Sequence, residues 1–189
     1  MSLLILGLVI FLGVHTLTTL RPTRAAVIGR LGDGGYKGLY SLLAAVGLVL
    51  IVWGFGHYRA TDDIQLWSPP VALKHIARLL MWLAFVALAA TYAPLGKIKS
   101  TLRHPMLVSV KTWALAHLLA NGDLGALILF GAFLAWAVYD RIAVKRRGDT
   151  GAPPVAGFTS GDMIAIAAGT AAYVAMFWLH PMLIGVPII

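Results

Sequence analysis

Residues Leu3–Leu20 read LLILGLVIFLGVHTLTTL, an apolar run that contains no Asp, Glu, Lys or Arg. An α-helix needs about 20 mostly apolar residues to cross the hydrocarbon core of a bilayer. The first positive charge, Arg21, follows the run and does not precede it. Because a signal peptide carries its basic residues before the apolar core and a small-residue cleavage site after it, we interpret this run as a first membrane helix.

Similar apolar runs recur along the whole chain. They predict an all-α fold, a polytopic transmembrane helical bundle in a single membrane domain over residues 1–189. Between the fourth and fifth runs, Asp123 is a good N-cap for a helix, and the segment Lys145–Ser160 is rich in Gly and Pro, which predicts a flexible connection. The predicted spans lie at about 3–20, 39–55, 71–93, 106–120, 124–144 and 163–179.

Composition supports a membrane protein and restricts its chemistry. The 189 residues are 60% hydrophobic and 12% charged, whereas soluble domains carry about twice that fraction of charge. The chain has no cysteine, and all seven acidic residues are aspartates. Disulfides, thiolate chemistry and mechanisms that need a glutamate are therefore excluded.

The basic residues orient the bundle. The net charge of +8 comes from residues that flank the apolar runs and do not form a separate basic face, so we expect membrane topology signals and no nucleic-acid partner. Basic loop residues concentrate on the cytoplasmic side of membrane proteins, so the expected location is a bacterial inner membrane with both termini in the periplasm. Most of the fifteen basic residues follow spans one, three and five: Arg21, Arg24, Arg30, Lys37, Lys97, Lys99, Arg103, Lys111, Arg141, Lys145, Arg146 and Arg147.

Two of the six histidines lie inside predicted spans. His15 falls in span one and His117 in span four, whereas His57 and His104 lie nearer the membrane edges. Ionisable side chains inside a membrane are costly and indicate function. A neutral imidazole is a good ligand for haem iron, and two imidazoles on separate helices can hold a haem within a bundle. The alternative is a structural histidine that donates a hydrogen bond to a neighbouring helix.

The densest polar stretch resembles a known family. Arg103-His104-Pro105 is followed by Trp113-Ala114, by a run from Ala116 to Asp123, and by Trp136-x-x-x-Asp140-Arg141. Together with Gly13-Val14-His15, this pattern resembles the NnrU family over almost the whole chain.

The resemblance implies a function and a cofactor. NnrU-like proteins are associated with denitrification and nitric oxide metabolism, and they are related to the plastid 15-cis-ζ-carotene isomerases, membrane proteins that bind haem b. By resemblance, the axial histidines of the haem match His15 and His117. The implied partners are membrane lipid, a hydrophobic polyene or nitric oxide, and a membrane protein partner. Positions that match other family residues extend the candidate site: His57, Arg103, His104, Asn121 and Asp123.

Three alternatives remain open at this point. The predicted topology separates His15 and His117 along the membrane normal by roughly 10 Å. Either tilted helices and a tilted haem absorb this offset, or span four lies deeper than predicted, or His104 replaces one ligand. The second alternative is that the protein binds no haem and is a non-enzymatic accessory of a denitrification complex. A third reading rests on Arg103-His104-Pro105, which is similar to an element of membrane methyltransferases that use S-adenosylmethionine. Those enzymes also use acidic residues, often glutamate, and this chain has no glutamate.

Overall fold

The chain is largely helical. The computed structural model describes residues 1–186 and 188, and within them it contains helices and no β-strand, apart from an isolated bridge between Gln65 and Asp123. The predicted all-α class is confirmed. The helices are α1 (Ser2–Thr19), α2 (Arg21–Thr61), α3 (Val71–Tyr92), α4 (Lys97–Leu102), α5 (Pro105–Ala120), α6 (Leu124–Arg146) and α7 (Ser160–Ile184).

Helices α1, α2, α3, α6 and α7 are long and apolar enough to cross a membrane, and α5 is a shorter apolar helix of 16 residues. Large apolar side chains on these helices are exposed, as at Val9, Trp53 and Leu79. Water would penalise such a surface, whereas lipid tails contact it favourably. The helices therefore fit a multi-pass membrane protein in contact with lipid, and they are compatible with about six spans.

Helix α2 is longer than the predicted span 39–55. It covers 41 residues in two helical segments that meet at a kink at Gly32, where φ is 71° and ψ is 166°. Hydropathy marks only the apolar part of a helix, while the helix itself continues through its polar ends. Pro22 is tolerated in the first turn because that turn has no partner for its N–H groups.

The chain forms two compact units. Unit 1 comprises Met1–Ser68 and Gly122–Val144, and unit 2 comprises Pro69–Asn121 and Lys145–Ile189. His15 belongs to unit 1 and His117 to unit 2. Whether the two units together form one membrane domain over residues 1–189 depends on how they are arranged, so the single domain stays a prediction.

In unit 1, glycines let α1 and α2 pack with their backbones in contact. A Cβ atom on Gly7 would lie 2.6 Å from the Ile51 nitrogen, and one on Gly54 would lie 2.4 Å from the Leu4 nitrogen. Small residues at helix interfaces allow this approach in membranes, where dispersion contacts contribute much of the association energy. The sequence indicates either close packing or a bend at Gly54, and the structure shows close packing.

In unit 2, α3 packs against both α5 and α7 through small side chains. Ala84, Ala90 and Ala165 are buried, and the Ser109 hydroxyl donates to the Ala84 carbonyl at 2.9 Å. The Trp82 indole N–H donates to the Thr170 hydroxyl, also at 2.9 Å. These side-chain hydrogen bonds satisfy polar groups that lipid cannot satisfy.

Helix α4 was not predicted, because its six residues mix polar and apolar side chains and do not form an apolar run. The buried Asp162 carboxylate accepts hydrogen bonds from the Lys97 and Ile98 nitrogens, at 2.8 and 2.6 Å. It also accepts one from the Thr159 nitrogen at 2.8 Å. Asp162 of α7 thus satisfies N–H groups at the start of α4 that the helix itself leaves unpaired.

The loop between α6 and α7, predicted to be a flexible connection, is held against the rest of unit 2 by hydrogen bonds. The Ala152 nitrogen donates to the Arg103 carbonyl at 2.9 Å, and the Val155 nitrogen donates to the Ser100 hydroxyl at 3.0 Å. Composition alone could not show these contacts, because they depend on α4, which the sequence pattern does not reveal.

Candidate functional site

His15 lies on α1 within unit 1, and its side chain is partly buried. Its Nδ1 donates a hydrogen bond to the Phe11 carbonyl oxygen, one helical turn earlier, at 2.6 Å. A carbonyl oxygen only accepts, so Nδ1 carries the proton and Nε2 carries the lone pair. Histidines that bind metal ions commonly have this arrangement, with one ring nitrogen on the metal and the other donating to a carbonyl.

Aromatic rings from three helices surround the His15 imidazole. The Phe11 ring of α1 stacks on it with 4.2 Å between centroids, and the Tyr40 ring of α2 lies at 5.4 Å. The Trp136 ring of α6 lies at 5.8 Å and is nearly perpendicular to the imidazole. This environment offers flat apolar surfaces to a planar conjugated ligand.

Two buried polar groups near His15 lack a protein partner. Among the described residues, the Tyr36 hydroxyl and the Trp136 indole N–H are buried without a hydrogen bond. Tyr36 is 5% exposed, its ring lies 6.2 Å from that of Tyr40, and the Arg24 guanidinium lies over it at 5.3 Å. A buried donor without an acceptor costs roughly 1–3 kcal/mol, so both groups would be stabilised by a ligand that supplies acceptors.

Sequence reasoning did not find this environment. An aromatic residue at the polar edge of an apolar run, such as Tyr36, is typical of the membrane interface, whereas the structure buries Tyr36 inside unit 1. Trp136 was used only as part of a family pattern. The spacing of Tyr36 and Tyr40, four residues apart on a helix, was the available signal, because such residues share a face.

His117 lies on α5 within unit 2 and has the same proton arrangement as His15. Its Nδ1 donates to the Trp113 carbonyl oxygen at 2.9 Å, so Nε2 carries the lone pair. The Trp113 ring lies 5.2 Å from the imidazole. The Asn121 amide donates to the His117 carbonyl at 2.8 Å, which supports the end of the helix next to the imidazole.

Unit 2 also carries a cation inside a candidate span. Arg78 of α3 donates to the Ile188 carbonyl at 3.3 Å and lies 3.5 Å from the Nδ1 of His75. Its Nε is buried and has no hydrogen-bond partner among the described residues. An arginine within an apolar helix is stabilised by an anionic group, which makes Arg78 a further residue of interest.

The remaining histidines differ in their surroundings. His57 is exposed on α2. The His104 Nε2 lies 3.3 Å from the Asp149 carbonyl and 3.9 Å from its carboxylate, at the opposite end of α5 from His117, about 20 Å away along the helix. His180 of α7 donates its Nδ1 to the Val186 carbonyl at 2.6 Å, so it shares the proton arrangement of His15 and His117.

Two other predicted site residues have structural contacts. The Asp123 carboxylate accepts from the Ala126 nitrogen at 2.7 Å, which confirms it as the N-cap of α6. Arg103 lies in the turn between α4 and α5. Within residues 1–186 and 188, no three His, Cys, Asp or Glu side chains are placed to hold a metal ion. Haem places no such demand, because the porphyrin supplies four of the iron ligands.

Comparison with known proteins gives one result. The chain matches the family described as NnrU protein over residues 3–188. No curated protein and no solved structure matches it significantly.

Proposed function

The chain belongs to the NnrU family, and we propose that it is a multi-pass membrane protein that binds haem b through the imidazoles of His15 and His117. The observation that carries the proposal is their shared proton arrangement. Each Nδ1 donates to the carbonyl one turn earlier, so each Nε2 carries the lone pair that iron would accept.

The surroundings of each histidine fit a haem. Near His15, the rings of Phe11, Tyr40 and Trp136 provide apolar contacts, and the buried donors of Tyr36 and Trp136 match acceptors on a ligand. In the unit that contains His117, the positive charge of Arg78 suits a carboxylate such as a haem propionate.

The chemistry at such a site depends on the cofactor and on the residues around it. Haem b, when bound, supplies an iron that changes oxidation state and accepts small ligands. The Phe11 carbonyl keeps the His15 imidazole in one tautomer, and the aromatic rings around it provide apolar contacts. We infer that the protein acts in nitric oxide or denitrification metabolism, or in the isomerisation of a polyene, in a bacterial inner membrane with both termini in the periplasm.

Absorption spectra of the purified full-length protein test the proposal. After expression with ample haem, we expect a reduced-minus-oxidised spectrum of a low-spin b-type haem. His15→Ala and His117→Ala should each lower the haem content at least ten-fold or convert the spectrum to a high-spin form, because one axial ligand is lost.

Two other histidines provide matched controls. His57→Ala, at an exposed position, and His180→Ala, at a position with the same proton arrangement, should retain the wild-type spectrum. All variants are first compared by size-exclusion elution, so that misfolding is separated from ligand loss. A wild-type protein without haem bands would refute haem binding, and loss of haem in His180→Ala but not in His117→Ala would refute the ligand assignment.

A second candidate is a membrane accessory protein without a cofactor. Ala167 and Ala171 of α7 are exposed, and small residues one turn apart favour helix association in membranes. Normal denitrification in cells that carry His15→Ala/His117→Ala, together with capture of a defined membrane partner, would favour this candidate over haem binding.

A further inference from the structure

A cavity of about 280 Å³ lies in unit 2 between α4 and the loop that precedes α7. Five polar residues line it, and the rest of the lining is Ala and Pro. The polar residues are Lys97, Ser100, Thr101, Arg103 and Thr150. Its donors are therefore two cations and three hydroxyls, and no carboxylate is among the lining residues.

The two cations, Lys97 and Arg103, have no ion-pair partner among the described residues. The Lys97 ammonium donates to the Val155 carbonyl at 3.2 Å. The nearby carboxylates are engaged elsewhere. Asp149 accepts from the Gly151 nitrogen and faces His104, and Asp162 accepts from backbone nitrogens at the start of α4. The cavity is therefore lined by two cations and by no carboxylate.

Arg103 is held in an unusual backbone conformation. Its φ is 60° and its ψ is −48°, and the His104 nitrogen donates to the Leu102 carbonyl at 2.6 Å. This is a γ-turn of the strained kind, which is costly for a non-glycine residue. Strain of this kind persists only where surrounding contacts enforce it.

Gly151, in the loop between α6 and α7, packs against the turn at Arg103. Its φ is 69°, and a Cβ at this position would lie 2.3 Å from the Arg103 carbonyl oxygen, so the loop can approach only because the residue is glycine. The neighbouring Ala152 nitrogen donates to that same oxygen at 2.9 Å. The turn and the loop thus hold Arg103 beside the cavity.

We propose that this cavity binds a phosphate group through Lys97 and Arg103, with the hydroxyls of Ser100, Thr101 and Thr150 as additional donors. Arginine pairs with phosphate through two parallel hydrogen bonds, and lysine adds a point charge. The cavity lies where α3 ends, α5 begins and α7 begins, which is the level of lipid headgroups if these helices span a membrane. The phosphate belongs either to an anionic lipid or to a soluble phosphate compound.

Binding to delipidated full-length protein tests the proposal with two probes. Native mass spectrometry compares retention of phosphatidylglycerol with that of a diacylglycerol of equal chain length, which lacks the phosphate. Thermal melting in detergent compares inorganic phosphate with chloride at equal ionic strength. We expect at least ten-fold preference for the phosphate form of the probe in wild type, and loss of this preference in Lys97→Gln/Arg103→Gln.

The control is Lys74→Gln, an exposed basic residue at the far end of unit 2, which should bind as wild type does. Preference for the lipid alone identifies a headgroup, and a response to inorganic phosphate alone identifies a soluble ligand; both support the site. If the double variant does not accumulate, Thr101→Val/Thr150→Val keeps the charges and should weaken binding about three-fold. Equal binding in wild type and in the variants, or no preference for either phosphate probe, would overturn the proposal.

Discussion

At the scale of the residue, the clearest feature is a set of polar side chains that each perform a definable task inside an apolar chain. His15 and His117 fix their tautomers through the carbonyl one turn earlier. Asp162 accepts three backbone N–H groups, and Arg103 occupies a strained turn. In lipid, a polar group without a partner is costly, so each such group indicates a structural or a binding role.

Asp162 gives the stability prediction at this scale. Asp162→Ala removes the acceptor for the nitrogens of Lys97, Ile98 and Thr159 and leaves them unsatisfied. We expect a loss of about 3 kcal/mol in the free energy of unfolding, measured as a fall in melting temperature of roughly 6–12 °C in detergent.

The control for this variant is Asp63→Ala, which removes an exposed carboxylate and should change the melting temperature little. If Asp162→Ala has the same melting temperature as Asp63→Ala and wild type, the Asp162 carboxylate does not stabilise α4, and the assigned role is wrong.

At the scale of the element, the helices combine long apolar surfaces with small residues at their contacts. In unit 1, Gly7 and Gly54 bring α1 and α2 together at backbone distance. In unit 2, Gly169 of α7 does the same against Val86 of α3, where a Cβ would lie 2.6 Å from the Val86 Cα. Close approach increases dispersion contacts between backbones, which helps to stabilise helix pairs in lipid.

Two glycines of α2 permit a matched test of this packing. Gly54→Ala places a methyl group against the backbone of Leu4 and forces α1 and α2 apart, at a cost of about 1–3 kcal/mol. Gly56→Ala meets no atom within 4 Å, and alanine favours the helix, so it should be neutral or slightly stabilising. Resistance to chemical denaturation in micelles measures both, and equal losses at the two positions would contradict the packing role of Gly54.

At the scale of the whole molecule, five long apolar helices and one shorter helix account for the membrane character of the chain. The basic residues after predicted spans one, three and five set the expected orientation. Because the chain has no cysteine, single cysteines can report topology without background labelling.

Two exposed positions are suited to this labelling. We expect Ser2→Cys to react with a membrane-impermeant maleimide on intact cells whose outer membrane has been permeabilised. Gly157→Cys, in the loop before α7, should react only after lysis, since it follows an odd number of predicted spans. If the two cysteines are labelled under the same conditions, both before lysis or both only after it, the proposed topology with the termini outside is excluded.

The sequence by itself determined the fold class and most of the membrane helices. Length and hydropathy suffice for this, because each apolar run must form its own backbone hydrogen bonds in lipid. It also made His15 and His117 the candidate ligands, because histidines are rare within apolar runs, and that assignment stays a prediction. The polar ends of α2 and the short helix α4 escaped prediction, since hydropathy does not register helices outside the apolar runs.

Only the tertiary structure decided what surrounds these residues. The aromatic rings around His15 come from α1, α2 and α6, which are distant in sequence, and the acceptor for the start of α4 comes from α7. The strained turn at Arg103 depends on a glycine 48 positions later in the chain. Local pattern determines where helices form, whereas the contacts that make a site arise from packing between segments that the pattern treats separately.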